Sequence, residues 1–310
     1  MRLSIGPALF EWGRSGFRDF YRRMAFETAA DILYMGEVVC SVRANLTPRE
    51  LGSLWEELRS SGKEVVFSTL GLVMKESELV RIREIVALAR ELGVRVEAND
   101  MAAVGIGEGA ALVAGPHINT YNPQTVALLR RVGVGRVVLP VELGRDMIAG
   151  VVGPAAGRDF EVELFAYGKL PLTFSARCYT SRAFHLPKAD CQYKCGEFPD
   201  GMVMRTQEGT PLLTINGIQT MSDRLFNLAG EVESLRDLGV DILRLSPQSR
   251  HMEAVVAVWR ARVDGRMDAA EAMARLRELN DGAEFCNGYF FGQAGLDMVD
   301  ARAIQEQWTS

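Results

Sequence analysis

A single alternation constrains this chain more than any other feature. Short apolar, β-branched runs at residues 2–7, 31–36, 64–70, 94–99, 112–119, 136–141, 160–167 and 241–245 are separated by amphipathic segments. Leu51, Leu54, Trp55 and Leu58 recur at helical spacing, as do Leu79, Ile82, Val86 and Ala89, and Leu225, Leu228, Val232 and Leu235. Thr47-Pro48-Arg49-Glu50 supplies a helix start: Thr at the N-cap, Pro at the first position and an acid at the third. Gly62, Gly93 and Gly239 stand where helices should stop. Eight strand–helix units predict an α/β chain closing as a (β/α)8 TIM-like barrel, with a doubly wound open sheet as the alternative.

The beat breaks once. Residues 171–220 are irregular, hold three cysteines and include a hairpin pattern at 202–205 and 210–215. They read as an insertion before the last strand of one domain spanning 1–310, and residues 252–310 read as a C-terminal helical tail. The 40 acidic residues outnumber the 35 basic ones, so the basic footprint of a nucleic-acid binder is missing. The N-terminus has one arginine and no long apolar stretch, which argues against a signal peptide, and no apolar run is long enough to span a bilayer. A cytoplasmic location is expected, where thiols stay reduced.

In that compartment five cysteines point to metal, catalysis or core packing rather than disulfides. Cys178, Cys191 and Cys195 are spaced C-x12-C-x3-C. That is looser than the paired knuckles of structural zinc and compatible with an iron–sulfur cluster. The spacing leaves zinc and unliganded thiols open. Cys40 follows the second strand and in a barrel would share the face onto which the insertion opens, making it the candidate fourth ligand. Cys286, among aromatic residues, reads as a buried small hydrophobe.

Several blocks are similar to UbiV-type members of the collagenase-like peptidase superfamily: Leu33-Tyr34-Met35-Gly36-Glu37-Val38-Val39-Cys40, Leu139-Pro140-Val141-Glu142-Leu143, Tyr167-Gly168-Lys169-Leu170-Pro171-Leu172, Ser175-Ala176-Arg177-Cys178, residues 213–222, Arg244-Leu245-Ser246-Pro247-Gln248 and Cys286-Asn287-Gly288-Tyr289. They occur in order over nearly the whole chain. The resemblance implies a [4Fe–4S] cluster held by Cys40, Cys178, Cys191 and Cys195. It also implies a heterodimer with a UbiU-like homologue and oxygen-independent hydroxylation of the ubiquinone precursor ring, with prephenate as oxygen donor. A UbiT-like sterol-carrier protein would handle the polyprenylated phenol. Proteolysis rests on the superfamily name alone, because the sequence has neither H-E-x-x-H nor G-x-S-x-G and its three histidines, His117, His185 and His251, stand far apart.

Polar residues at the carboxyl ends of barrel strands face the active-site mouth. On that basis Glu37, His117 and Glu142 are candidate catalytic residues, while Asn119, Tyr167, Arg177 and Arg244 are candidate substrate-binding residues. Arginines suit a carboxylate-bearing donor. The competing structural readings are a Glu142–Arg244 pair closing the barrel top, Asn119 as the cap of a helix starting near Pro123, and His117 as a satisfied core residue. Gly105-Ile106-Gly107-Glu108-Gly109-Ala110 matches a loose dinucleotide fingerprint, but a strand pattern follows at once, so it reads as a tight helix-to-strand connection. Two further functions compete with the hydroxylase subunit: a non-catalytic redox or scaffold partner, and a redox sensor.

Overall fold

The computed structural model describes residues 1–43, 46–155 and 160–300. Seven strands alternate with helices along the first half of the chain: β1 (Arg2–Ile5), β2 (Ile32–Gly36), β3 (Glu64–Ser68), β4 (Arg95–Ala98), β5 (Leu112–Ala114), β6 (Val134–Val138) and β7 (Glu161–Phe174). Strands β8 (Met202–Arg205), β9 (Pro211–Asn216) and β10 (Gln219–Asn227) follow, then β11 (Ile242–Leu245) and β12 (Phe285–Cys286). Each of β1 to β6 pairs in parallel with the next, and β11 pairs in parallel with both β7 and β1. That closes an eight-stranded parallel barrel, so no strand edge remains within it. The expected (β/α)8 architecture is the one present.

Helices α1 (Gly13–Phe26), α2 (Pro48–Leu58), α3 (Glu76–Leu92), α4 (Met101–Ile106), α5 (Pro123–Arg131) and α6 (Arg145–Ala155) cover the barrel. Helix α2 begins as its sequence dictates, with Thr47 and Glu50 forming a reciprocal capping box. Gly93 ends α3 in the left-handed conformation. The Gly-rich segment 105–110 is the turn from α4 into β5, as its context required. Later come α7 (Tyr179–Ala183), α8 (Val232–Asp237), α9 (Met252–Val263) and α10 (Ala269–Glu278).

Two expectations need correction. Strand β7 does not stop before Pro171. It runs on to Phe174, leaving the barrel as a ribbon that pairs antiparallel with β10. Proline is tolerated there because the register is broken by irregularities along β10, so a missing N–H costs no regular ladder bond. Residues 225–235, read as one helix, begin inside β10, and the helix forms only from Val232. The apolar spacing of Leu225 and Leu228 instead serves β10 and the turn after it. The hairpin of β8 and β9 forms as expected and extends the same ribbon.

The barrel interior is charged. At its lower end Arg136 donates to Glu64 at 2.8 Å and to Glu161 at 2.8 Å, with Arg2 and Arg95 on the same carboxylates. One layer higher, Arg244 donates from Nε to Glu163 at 2.7 Å and from Nη1 to Glu97 at 2.6 Å. The Tyr34 hydroxyl and Ser4 also donate to Glu163. The Arg244 guanidinium lies 4.1 Å from the centroid of the Tyr34 ring. Four charges buried together cost solvation, and here each is met by an opposite charge within hydrogen-bond reach.

Candidate metal centre at the barrel mouth

Three segments bring the four cysteines to one cavity. The first is the loop after β2. Gly36 ends that strand at φ +148°, and a Cβ there would fall 2.2 Å from the Ser68 carbonyl oxygen. Glu37 follows, buried, and its Oε1 accepts the backbone N–H groups of Val39 at 2.9 Å and Cys40 at 3.0 Å. A side chain one turn back therefore fixes the direction in which Cys40 is presented. Burial raises the Glu37 carboxyl above the usual range, with Arg43 and the two amides opposing that rise.

The second segment carries Cys178, which caps α7 and accepts the Ser181 N–H at 3.4 Å. The third holds Cys191, which ends one short 3-10 turn, and Cys195, which lies within the next (Lys194–Glu197). Between them Gln192 and Tyr193 adopt left-handed φ values of 52° and 50°. Two successive non-glycine residues in that region are costly, and such strain persists where surrounding structure imposes it, as at ligand clamps.

Cys40, Cys178, Cys191 and Cys195 all line a cavity of about 360 Å³, its open edge included. Among the described residues the charged side chains lining it are Arg43, Lys188 and Lys194, and no carboxylate lines it. Burial pushes the Cys40 and Cys195 thiols up, and Arg43 pulls both down. Arg43 is 2% exposed. Its Nη1 donates to the Leu9 carbonyl at 2.6 Å and its Nη2 to Asn216 Oδ1 at 2.6 Å, with Glu11 and Glu37 at 3.9 and 4.0 Å. Its Nε is buried without a hydrogen-bond partner. Sequence reasoning missed Arg43; its position three residues after Cys40 was the available signal.

The donor set fits an iron–sulfur cluster. Among the described residues no three His, Cys, Asp or Glu side chains converge at the spacing of a single ion. A mononuclear zinc site needs its four ligands around one point, whereas a cubane accepts one thiolate at each of four corners. A cluster ligated by four thiolates is net anionic, and a cavity lined by three cations compensates that charge. Cys286 lies elsewhere, in β12 against β10, buried, its thiol pushed up to about 12 by burial.

The remaining predicted residues are scattered. Arg244 is locked in the barrel interior; only Nη2 lacks a partner. Glu142 does not pair with it. Glu142 is exposed and accepts from the Tyr121 hydroxyl, while Glu97 and Glu163 hold Arg244 Nε and Nη1 inside the barrel. Asn119 is exposed, and the cap of α5 is Asn122. Arg177 is exposed, its N–H bonded to Ser175 Oγ. Tyr167 is buried, with its hydroxyl between Gln248 at 3.1 Å and Asn280 at 2.7 Å. His117 meets Phe174 edge-on, 4.6 Å between centroids, and lines a small pocket at the mouth with Asn99 and Arg244. Burial, then the Arg244 charge, lowers its pKa to about 3. At neutral pH it is an uncharged and weakly basic imidazole.

A model of the family described as Peptidase family U32 matches residues 21–300. A collagenase of Porphyromonas gingivalis is 25% identical over 300 residues, covering 87% of this chain and 70% of the relative. The solved structure of the U32 peptidase Mk0906 aligns with a TM-score of 0.46 at 12% identity, covering 80% of this chain and 93% of that one. A tryptophan synthase complex chain from Pyrococcus furiosus aligns with a TM-score of 0.42 at 14% identity, covering 88% and 97%.

Proposed function

The chain belongs to peptidase family U32, and from that membership we propose that it is the iron–sulfur subunit of an oxygen-independent hydroxylase acting on the ubiquinone precursor ring. One observation carries the reading: four cysteines spread over 155 positions of sequence line a single cavity whose charged lining is wholly cationic. Cys40, Cys178, Cys191 and Cys195 would hold a [4Fe–4S] cluster, which when bound supplies one-electron chemistry. The chain's own residues do the rest. Glu37 aims the Cys40 loop through two amide hydrogen bonds, and Arg43 holds a buried positive charge beside two of the ligands. The apolar wall of Leu9, Phe10, Val38 and Val39 keeps water from one side of the site. The resemblance supplies the remainder of the proposal: a UbiU-like heterodimer partner, prephenate as oxygen donor and a UbiT-like carrier for the polyprenylated phenol. Collagenase is the name of the Porphyromonas gingivalis relative.

A second reading, a redox or scaffold partner with catalysis in the other subunit, is favoured by one feature. The mouth residues suited to moving protons or holding an anion are committed: Glu37 to backbone amides, His117 to a neutral state, and Arg244 to two carboxylates. Separate alanine variants at Cys40, Glu37, His117 and Arg177, scored for anaerobic quinone synthesis, distinguish the two. Loss with Cys40→Ala alone supports the partner reading. Loss at His117 or Arg177 as well, with iron content unchanged, supports catalysis here. Quinone synthesis that survives Cys40→Ala rejects both.

A further inference from the structure

We propose that the broad cleft between the cysteine insertion and the loops before α9 and after α10 binds a mostly apolar phenol, with Lys169 as the group that receives its oxygen. The cleft encloses about 1250 Å³, its open side included, room for a ring and the start of a chain. Its position follows from the fold. Gly168, at φ +121°, leaves no room for a Cβ, which would meet Ser246 Cβ at 2.5 Å. That close approach lets β7 turn out of the barrel and carry Lys169 to the cleft floor. Opposite it, the register between β7 and β10 shifts between Met221 and Leu225, and such bulges re-aim side chains beside sites.

Lys169 is half-buried, and its Nζ donates to Thr214 Oγ1 at 2.7 Å, which uses one of three N–H bonds. Among the described residues no carboxylate lies within ion-pair distance of it, and burial lowers its pKa despite Asp223 and Asp200. Of the cleft's acids, Asp200 accepts from Ser249 and Glu197 from Lys194 at 2.6 Å, Asp281 is exposed 3.9 Å from Arg250, and Asp223 acts on Lys169 through its charge. Phe10, Phe198 and Leu225 provide apolar wall. Four carboxylates against two cations oppose a dianion, whereas a phenol brings a single oxygen to a single ammonium and an apolar body to the aromatic walls. The cleft also adjoins the proposed cluster, since Glu197 lies two residues after Cys195 and Phe10 packs in the same apolar group as Cys40.

The inference rests on the proposed function for why a phenol should arrive near a cluster, and its test separates the two. Anaerobically purified protein, assayed for iron and sulfide, is titrated calorimetrically with 2-geranylphenol beside Lys169→Met and Lys169→Arg. Binding that weakens about tenfold or more in Lys169→Met and is largely kept in Lys169→Arg supports the assignment, as expected for one charge-assisted hydrogen bond. A photoreactive geranylphenol should label peptides containing Phe198 and Leu225 in the wild type, which reads the site even where a variant folds poorly. No binding, equal affinity in Lys169→Met, or labelling confined to other peptides overturns it. A cluster without phenol binding rejects the cleft and leaves the cluster reading standing; phenol binding without a cluster does the reverse.

Discussion

Two regions of this molecule concentrate charge and polarity out of water, and they treat it differently. In the barrel interior Arg244 bonds Glu97 and Glu163, Arg136 bonds Glu64, Glu161 and the Tyr34 hydroxyl and stands 3.9 Å from Glu163, and Tyr34 and Ser4 donate to Glu163. In the cysteine cavity four thiols and three cations face an enclosed space, and Arg43 Nε has no partner. In the first region every charge is paired within the chain, with Arg244 Nη2 left over, so its polar groups serve the fold. In the second the cations are partly engaged, Lys194 with Glu197 and Lys188 with the Ala176 carbonyl, yet four thiols from three segments converge on one cavity, an arrangement that packing alone does not require.

The sharpest way to break that comparison is to unbalance the paired region. Glu163→Ala leaves Arg244 short of an acceptor and Arg136 short of a nearby counter-charge, and should cost about 3–5 kcal/mol, read as a lowered urea midpoint. An unchanged midpoint would mean that the interior charges are not mutually supporting. Arg43 belongs to both worlds. Arg43→Met should destabilise by about 3 kcal/mol, because Glu37 and Glu11 lose a buried counter-charge, and should lower the cluster's midpoint potential in an EPR-monitored titration. Arg43→Lys should keep most of the potential while losing hydrogen bonds to Leu9 and Asn216, separating charge from architecture.

His117 gives a pH signature at the boundary. Its folded pKa, about 3, lies below its ordinary value of 6.5, so the unfolded chain binds the extra proton between those values. The stability it contributes is present above pH 6.5 and is lost as pH falls toward 3, at up to about 1.4 kcal/mol per pH unit. His117→Gln should flatten the wild-type loss across that window, and parallel curves would refute the burial argument. The smallest effect is a control outside both regions. Thr47→Ala removes the cap of α2 and should cost about 1 kcal/mol with iron content unchanged.

Where local chemistry decided the structure, the sequence was readable. The eight apolar runs, the Thr47–Glu50 box and the C-terminal glycines are short-range signals, and the barrel closes accordingly. The convergence of the thiol quartet was legible because three cysteines stand in the one irregular stretch, with Cys40 just after the second strand, and because the blocks around them resemble a known superfamily. The β7–β10 ribbon was not legible, since Pro171 signals a break and only the antiparallel partner explains why the strand continues. Arg43 and Lys169 were overlooked for a related reason. An arginine beside an insertion and a lysine in a strand look like surface residues until tertiary contacts bury one and place the other on a cleft floor. Arg244 misled in the opposite sense, because the end of a barrel strand announces a mouth residue and nothing local reveals that Glu97 and Glu163 have claimed it.

The account stands on four distant thiols sharing one guest. Anaerobic iron and acid-labile sulfide analysis of the wild type, beside Cys40→Ala, Cys178→Ala, Cys191→Ala and Cys195→Ala, tests it directly. About four irons and four sulfides per wild-type chain are expected, with brown absorbance near roughly 400 nm that each single variant loses or sharply reduces while keeping its helical circular dichroism. A wild type free of iron and sulfide, or variants that retain the full complement, would contradict it.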